Sequence, residues 1–340
     1  MRLVLIGFGT VGQGFAELLL EERERLATEY GLVWKVVGIA DSAKGCTYDS
    51  DGIDLGAAVE AAKAGVRLTR CPGGDDGWDA VTMIARADAD VVLEATFTDL
   101  ETGEPATGHV RAALERGMHV ITTNKGPVAL HAAELAALAS ARGVRFLFEG
   151  AVMSGTPLLN LVRECLAGAG VDEMAGILNG TTNFILTRME DGLSYGAALA
   201  EAQQRGYAEA VPDADVEGWD ALAKVTILAN VVFGATLRPS DIPCRGITGI
   251  SAEDVARARR DGKRYKLVGR VWRDGGAVRA EVGPRLVELS HPLAAVSGAS
   301  NAATIRTRAL GEVTVVGPGA GRRETGYAML NDLVHIGRTR

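Results

Sequence analysis

The chain has 340 residues, of which 47% are hydrophobic, 23% charged and 5% aromatic, and this composition excludes a disordered or fibrous protein. Because domains commonly run about 100–200 residues, the length predicts two of them, each able to bury a core. The formal charge of −7 and the lack of any Lys/Arg-rich run argue against nucleic acid or an anionic membrane as a partner, which leaves small ligands.

The first part of the chain alternates strands with helices. We expect strands at 2–6, 34–40, 90–96, 119–122 and 144–148, helices at 11–30, 77–87, 106–117 and 131–142, and a loop at 43–56. Strands that alternate with helices of about 10–15 residues predict parallel βαβ units. The first 149 residues are therefore predicted to form a doubly wound parallel sheet of the Rossmann type in an α/β protein.

After Glu149 the pattern changes. A helix is expected to begin in the segment 155–162, with Pro157 near its first turn. Strands are expected at 267–272, 277–282 and 303–307, with no helix between them, and a closing helix at 322–336. Such a series predicts a second, α+β domain with a mixed or antiparallel sheet.

Cysteine spacing and the amino terminus both favour a cytoplasmic protein. The four cysteines, Cys46, Cys71, Cys165 and Cys244, form no metal-ligand spacing, which predicts reduced thiols rather than disulfides. No stretch approaches the roughly 20 apolar residues of a spanning helix. Met1 leads directly into a strand, so no signal peptide is expected.

A glycine-rich turn lies between the first strand and the first helix. Its sequence is Gly7-Phe8-Gly9-Thr10-Val11-Gly12, which fits the pattern G-x-G-x-x-G. In that position the first glycine permits the tight turn, the second lets a pyrophosphate approach the backbone, and the third allows close helix–strand packing. The amino terminus of the helix also favours an anion. The turn therefore predicts a dinucleotide site.

Two further polar residues follow strands near this turn. Asp41 ends the second strand, where it either accepts hydrogen bonds from ribose hydroxyls or caps a turn. Contact with the ribose would favour NAD, whereas the nearby Lys44 leaves NADP open. Lys125 follows the strand 119–122 at the sheet edge where ligands bind, and it is either a ligand-facing residue or a solvated loop lysine.

The segment Glu217–Phe233 predicts a largely buried helix with a charged stripe. Asp220 and Lys224 share one narrow face, and the opposite face is apolar. An exposed pair of this kind contributes only about 0.2–0.5 kcal/mol, whereas burying charges costs several kcal/mol per ion. A lysine at a cleft can exchange a proton with a substrate hydroxyl. The loop 206–215 upstream is acidic, and it is either solvated or able to bind the ammonium group of an amino acid.

Taken together and in order, these segments resemble the homoserine dehydrogenase family over nearly the whole chain. The resemblance rests on Gly7–Gly12, Thr123–Lys125, Glu149–Pro157, Leu178–Ile185, Gly206–Glu209, Asp215–Lys224 and Gly317–Gly321. It implies hydride transfer between NAD or NADP and a small substrate, interconverting L-homoserine and L-aspartate 4-semialdehyde in the biosynthesis of threonine, methionine and isoleucine. It also implies a nucleotide-binding domain at 1–149, a substrate-binding and dimerisation domain at 150–309, a return segment at 310–340 that packs on the nucleotide-binding domain, and a homodimer or higher homo-oligomer.

The resemblance also implies a role for individual residues. Lys224 would be the proton donor, Asp220 its acidic partner, and Lys125 a residue near both cofactor and substrate. Cofactor contacts are implied for Gly7, Phe8, Gly9, Thr10, Val11, Gly12, Asp41, Thr96, Lys125, Gly317 and Gly319, and substrate contacts for Gly180, Thr181, Tyr207, Glu209 and Asp215. A monovalent cation, sodium, is implied at Glu149, Val152, Ser154 and Thr156.

Three departures from the family pattern leave alternatives open. Val211 stands where the family usually has Asp, Met153-Ser154 replaces a glycine-richer pair, and Thr325-Gly326 replaces Thr-Ala. Val211 leaves open another small hydroxy or oxo amino acid as substrate. A non-catalytic dinucleotide-sensing protein is the alternative from another class. A thioester-forming aldehyde dehydrogenase is weaker, because no cysteine has a nucleophile setting. No regulatory amino-acid-binding module is expected.

Overall fold

The computed structural model describes residues 1–70 and 78–338. These residues form two compact units, one of Met1–Gly155 with Gly321–Arg340 and the other of Thr156–Ala320. Both boundaries lie later in the chain than the predicted ones at 149 and 309. The strand that follows residue 310 explains the second difference, because it pairs within the sheet of the second unit.

The first unit contains a sheet with helices. Its strands are β1 (Arg2–Ile6), β2 (Lys35–Asp41), β3 (Gly45–Tyr48), β4 (Leu68–Arg70), β5 (Val91–Glu94), β6 (His119–Thr122) and β7 (Phe146–Leu147). Its first helices are α1 (Thr10–Glu21), α2 (Arg23–Tyr30), α3 (Leu55–Lys63), α4 (Ala80–Arg86), α5 (Ala106–Glu115) and α6 (Lys125–Ala141). The strand order is β4-β3-β2-β1-β5-β6-β7. Among these strands only the β2–β3 pair is antiparallel, so the doubly wound parallel sheet is confirmed.

Hydrophobic burial explains why β1 lies at the centre of this sheet. Its residues Leu3–Ile6 are all buried, and neighbours on both sides satisfy the backbone of the strand. Phe15 and Leu19 of α1 pack into the same core as Leu3. The carboxyl end of this strand leads directly into the glycine turn.

Several predicted elements of the first unit have different limits. The helix expected at 11–30 is two helices, because Glu22 leaves the helical conformation between α1 and α2. The loop expected at 43–56 contains β3, a short strand flanked by polar residues that pairs with the edge of β2, and the start of α3. In the helix expected at 77–87, residue 77 lies outside the described residues. Helix α6 begins earlier than expected because the side chain of Asn124 caps it, accepting from the backbone N–H of Gly126 (3.1 Å).

The second unit contains an antiparallel sheet. Its strands are β8 (Val171–Ile177), β9 (Lys263–Asp274), β10 (Ala277–Glu288), β11 (Ser300–Thr307) and β12 (Gly311–Pro318), in the order β10-β9-β8-β11-β12. Its helices are α7 (Gly180–Glu190), α8 (Tyr195–Gln204), α9 (Asp213–Val216), α10 (Trp219–Val231) and α11 (Ala252–Arg260). Helices α7, α10 and α11 pack on the sheet. The expectation of a second, α+β unit is confirmed.

The helix expected to begin in the segment 155–162 is present, because helical residues start at Leu159, two residues after Pro157. This helix is short and widens into a π-helical turn at Leu161–Cys165, and a 3₁₀ turn at Glu149–Ala151 precedes it. Before the helix, Met153 and Ser154 have positive φ angles of 59° and 52°, so the chain turns there rather than continuing as a regular helix. The chain returns to the first unit as α12 (Arg322–Arg338), which packs along α1.

The second unit also buries a lysine that the sequence analysis did not identify. Lys266 of β9 is 0% exposed, and its Nζ donates to Asn183 Oδ1 (3.0 Å) and to the carbonyl oxygen of Val296 (2.7 Å). Burial lowers the pKa of Lys266 to about 8, and burial raises the pKa of the neighbouring Glu190. This cluster links α7, β9 and the segment before β11.

The prediction of reduced thiols is wrong for one cysteine. Cys46 is disulfide-bonded, whereas Cys165 and Cys244 are free thiols and Cys71 lies outside the described residues. Tertiary structure sets the distance and direction that a disulfide needs, so sequence spacing alone gave no signal for it. Over the described residues, no helix has the length and apolarity needed to span a membrane.

Candidate active site

The glycine turn of the first unit has the geometry that a dinucleotide requires. Gly7 has a φ of 88°, and a Cβ there would lie 2.5 Å from the carbonyl oxygen of Ala95. A Cβ at Gly12 would collide with the Gly7 carbonyl, so the third glycine permits close packing. At Gly9, by contrast, no described atom lies within 4 Å of such a Cβ. The backbone at Gly9 is therefore open to a ligand.

The amino terminus of α1 can hold an anion. No described side chain caps it, and its first turn contains no acidic residue. Its first N–H groups and the positive end of the helix dipole therefore suit a phosphate. Phe8, Thr10 and Val11 differ in placement: the Phe8 side chain is buried in the core, Thr10 is exposed, and Val11 is half-buried.

A cavity of about 1090 Å³ is lined by this turn, which is enough for a ligand of cofactor size. Its other lining residues include Asp41, Lys44, Arg67 and Thr96. The backbone at Gly9 is open and no side chain caps α1, so both positions can accept a pyrophosphate, and these residues fit a dinucleotide.

Asp41 both supports the turn and lines the cavity. Its Oδ2 accepts from the backbone N–H of Phe8 (2.7 Å), and its Oδ1 accepts from the backbone N–H groups of Ala43 (2.9 Å) and Lys44 (2.8 Å). The turn-capping alternative is therefore present in the structure. A carboxylate oxygen has two lone pairs, so Oδ2 retains capacity for a ribose hydroxyl.

Buried polar side chains connect the ends of β5 and β6. Glu94 is 0% exposed and accepts from the backbone N–H of Thr96 (2.9 Å), from the Thr96 hydroxyl and from the Thr122 hydroxyl (2.7 Å). Asn124 Nδ2 donates to the carbonyl oxygen of Phe97 (2.8 Å). Lys125, the first residue of α6, is half-buried beside Asn124. The sequence analysis missed Glu94 and Asn124, although a carboxylate inside an apolar strand was a signal for Glu94.

The charged stripe of α10 forms a close ion pair in the second unit. Lys224 is 7% exposed, and its Nζ donates to Asp220 Oδ2 (2.6 Å) and to the carbonyl oxygen of Leu178 (2.7 Å). An ammonium group has three N–H donors, so these two bonds leave one for a ligand oxygen. The Asp220 side chain is 21% exposed, which places the pair at the edge of the buried region.

Asn179 extends this pair into a network. Its Nδ2 donates to Asp215 Oδ1 (2.6 Å) and to Asp220 Oδ2 (3.0 Å). Burial raises the pKa of Asp215, and the hydrogen bond from Asn179 opposes that rise. The structure therefore brings Asp215, Asp220 and Lys224 together, and the sequence analysis did not select the asparagine that joins them.

The remaining predicted substrate residues surround the start of α7 and the loop 206–215. A Cβ at Gly180 would collide with the carbonyl oxygen of Ala299, so this position requires glycine. The Thr181 hydroxyl donates to the carbonyl oxygen of Tyr207 (2.7 Å), which ties the loop to α7. Glu209 and Val211 are exposed, and no hydrogen bond or ion pair joins the Glu209 carboxylate to another described residue.

The predicted cation residues are buried, but two of their hydroxyls have other partners. Glu149, Val152 and Ser154 of the first unit and Thr156 of the second are each at most 5% exposed. Ser154 Oγ is hydrogen-bonded to Thr325 Oγ1 (2.7 Å), and Thr156 Oγ1 donates to the carbonyl oxygen of Pro318 (2.9 Å). Among the described side chains, no group of three or more His, Cys, Asp or Glu forms a metal site.

Gly317 lies within the end of β12 and Gly319 directly after it, both in the second unit. A Cβ at Gly317 would collide with Thr156, and one at Gly319 would collide with the amide of Asn301. Asn301 is 0% exposed, and its amide atoms have no hydrogen-bond partner among the described residues. Both glycines are therefore required for close packing within this unit.

A dinucleotide-type glycine turn in one unit and a buried lysine–carboxylate pair in the other define the class of protein as an NAD(P)-dependent oxidoreductase. Two family models match the chain. One is described as homoserine dehydrogenase, NAD binding domain, and matches residues 7–149; the other is described as homoserine dehydrogenase and matches residues 157–334. The chain belongs to the homoserine dehydrogenase family, as the resemblance predicted.

Individual relatives agree over the full length. The NAD(+)-dependent homoserine dehydrogenase of Pseudomonas canavaninivorans is 46% identical over 336 residues, covering 98% of this chain and 96% of the relative. The homoserine dehydrogenase of Methanocaldococcus jannaschii is 41% identical, covering 99% and 98%. A hyperthermophilic archaeal homoserine dehydrogenase mutant, solved in complex with NADPH, is 30% identical with a TM-score of 0.84, covering 98% and 97%.

Proposed function

We propose that this protein catalyses the NAD(P)-dependent interconversion of L-homoserine and L-aspartate 4-semialdehyde. The observation that carries the proposal is the buried Lys224–Asp220 pair, with one N–H of Lys224 left for a substrate oxygen. Family membership supports the substrate, since the relatives of similar length are named for homoserine. In this proposal the first unit binds the dinucleotide and the second binds the amino acid.

Lys224 acts as the proton donor in the reduction. The bound dinucleotide supplies or accepts the hydride. As negative charge develops on the substrate oxygen, Lys224 Nζ transfers to it the proton of its third N–H group, the one not bonded to Asp220 or Leu178. In the oxidation the neutral amine takes this proton back from the substrate hydroxyl. Asp220, which accepts from the same Nζ at 2.6 Å, fixes the direction of the ammonium group. The carbonyl oxygen of Leu178 fixes it from a second side.

The amino-acid end of the substrate is assigned to the acidic loop and the start of α7. Asp215, half-buried beside Thr181, is proposed to bind the substrate ammonium group, and Glu209 and Tyr207 to complete the site from the loop. Gly180 permits the close approach of the α7 amino terminus. Val211 is 73% exposed, so its side chain leaves the loop without the additional carboxylate that the family usually has there.

A substrate screen with both cofactors tests the proposal. L-homoserine, L-serine and L-threonine are each supplied with NAD and with NADP, and cofactor reduction is followed by absorbance. We expect L-homoserine to be the preferred substrate. Absence of turnover with every alcohol would favour the dinucleotide-sensing alternative, and preference for another alcohol would favour the alternative substrate.

Cofactor choice is proposed to depend on the ribose end of the cavity. Asp41 favours the two free hydroxyls of NAD, whereas Lys44 and Arg67 line the same cavity and suit the 2′-phosphate of NADP. We propose that both cofactors are used. Lys44→Gln and Arg67→Gln should raise the KM for NADP and leave the KM for NAD nearly unchanged.

Assembly, cation and location complete the proposal. The second unit exposes Trp219, Leu286 and Val316 by about half of their surface, which supports a homodimer formed through this unit. Sodium bound by backbone carbonyls near Glu149 and Val152 is proposed to hold the segment that precedes the second unit. The protein is proposed to work in the cytoplasm. Light scattering of the protein as it elutes from a size-exclusion column tests the homodimer. Activity in sodium chloride compared with choline chloride tests the sodium site.

A further inference from the structure

We infer that Asn179 is a positioning residue that holds the Asp215 and Asp220 carboxylates in one arrangement around Lys224. The inference rests on the proposed function, since it concerns the orientation of the same lysine. It goes beyond that function because Asn179 itself touches none of the reacting atoms in the proposed scheme. Its side chain is 4% exposed, at the point where the chain enters α7.

The amide of Asn179 uses its full hydrogen-bonding capacity. Its two N–H groups face Asp215 Oδ1 (2.6 Å) and Asp220 Oδ2 (3.0 Å), and its Oδ1 accepts from the backbone N–H (2.9 Å) and the hydroxyl (3.0 Å) of Thr182. The backbone N–H of Thr182 requires an acceptor, and two carboxylates require a donor. The orientation of the amide is therefore fixed by its neighbours.

A shared oxygen connects this amide to the lysine. Asp220 Oδ2 accepts from both Asn179 Nδ2 and Lys224 Nζ, so a displacement of the carboxylate displaces the ammonium group as well. The residue before the asparagine, Leu178, supplies the second acceptor of the same Nζ. Two consecutive residues between β8 and α7 thus determine where Lys224 points.

Without the amide, the two carboxylates would face each other across the space that it fills. Like charges at such a distance repel, and one of them would turn away or take up a proton. Burial already raises the pKa of Asp215, and Asp220 raises it further, whereas Asn179, Thr181 and Lys224 lower it. Asn179 therefore favours the ionised form that an ammonium-binding group needs.

Two substitutions separate this role from helix capping, since Asn179 is also the amino-terminal cap of α7. Asn179→Ser retains a strong capping residue but cannot reach the carboxylates. Asn179→Asp retains both the cap and the shape, and replaces the donor with an acceptor. The matched control is Ser194→Ala, which removes the cap of α8 in the same unit without touching a carboxylate.

The kinetic test measures kcat and KM for L-homoserine against pH. For Asn179→Ser we expect kcat to fall roughly 10²-fold, as for a misplaced catalytic group. We also expect the acid limb of the kcat/KM profile to move up by about one pH unit, because Asp215 loses a hydrogen bond to its charged form. Asn179→Asp should lose at least as much activity, and Ser194→Ala should retain the wild-type profile. Wild-type kcat with an unmoved acid limb in Asn179→Ser overturns the inference.

A second measurement needs no turnover. Urea unfolding of the wild type and Asn179→Ser is compared from pH 4 to pH 7. The hydrogen bond from Asn179 stabilises the charged Asp215 carboxylate, so its loss in Asn179→Ser should lower the free energy of unfolding more at pH 7 than at pH 4. The decrease in the free energy of unfolding caused by Ser194→Ala should not depend on pH. If the wild type fails to oxidise L-homoserine, the proposed function is wrong. If Asn179→Ser lowers the free energy of unfolding by the same amount at every pH, the inference is wrong, whatever the outcome for the proposed function.

Discussion

Replacing Lys266 by Met should change how the stability of the protein depends on pH. Lys266 is 0% exposed, and its ammonium group has two acceptors, Asn183 Oδ1 and the carbonyl oxygen of Val296. The charged groups around it are Glu190 of α7 and Arg264 of β9. Met has a similar length and no charge, so it removes the titrating group and retains most of the volume.

The magnitude follows from the difference in pKa between the unfolded and folded chain. Burial lowers the pKa of Lys266 from 10.5 to about 8. Each unit of pKa difference corresponds to about 1.4 kcal/mol, so folding disfavours the charged form of Lys266 relative to the neutral form by about 3 kcal/mol. Between about pH 8 and pH 10.5 the unfolded chain holds a proton that the folded chain has released. The free energy of unfolding contributed by Lys266 therefore rises with pH through this window.

Urea denaturation of the wild type and of Lys266→Met, at steps from pH 7 to pH 10, measures this effect. Other lysines and tyrosines titrate in both proteins, so the difference between the two free energies of unfolding isolates Lys266. We expect the wild type to gain up to about 3 kcal/mol relative to the variant across the range. Parallel curves for the two proteins would refute the reasoning.

Three further predictions concern the glycine turn, the last helix and the lysine of α10. Gly9→Ala should fold with an unchanged Tm but bind the dinucleotide at least tenfold more weakly. Gly12→Ala should lower the Tm, because only this Cβ introduces a clash within the fold. Calorimetry measures the Tm of each variant, and cofactor titration measures its affinity for the dinucleotide. Gly326→Ala should destabilise the protein by roughly 1–3 kcal/mol despite the higher helix propensity of Ala, since its Cβ would lie 2.6 Å from a backbone nitrogen of α1, and urea unfolding measures this. Lys224→Met should reduce kcat by roughly 10²–10⁴-fold while cofactor affinity is retained, and wild-type turnover would remove the lysine from the mechanism.

The parts of the fold that the sequence predicted depend on local signals. The glycine turn, the buried strand β1 and the periodic face of α10 each lie within a short segment whose residue types and spacing suffice. β3 was missed because its four residues lie among turn-forming residues, and its pairing with β2 is decided by the sheet edge. Helix α6 was predicted too short, because its cap depends on the rotamer of Asn124.

The candidate site could be predicted only as separate pieces. Asp220 and Lys224 share a helix face, so their contact followed from helical spacing. Asn179 lies 36 residues from Asp215 and 41 from Asp220, and no local pattern connects positions so far apart. Glu94 and Asn124 act in the same way in the first unit, by joining the ends of neighbouring parallel strands. Residues that join separate segments were therefore the ones missed.

Two of the departures from the family pattern lie against each other in the first unit. Ser154, which has a positive φ of 52°, is hydrogen-bonded to Thr325 at the start of α12, and a Cβ at Gly155 would lie 2.5 Å from the carbonyl oxygen of Glu324. The next residue of the helix, Gly326, rests on the backbone of α1. A smaller residue at 326 allows α12 to approach α1 closely, and the Ser154 hydroxyl then has a partner that supports its left-handed backbone. The changes at 153–154 and at 325–326 are therefore parts of one packing arrangement. Val211 is exposed on the loop 206–215 of the second unit, so this departure bears on substrate choice and not on packing.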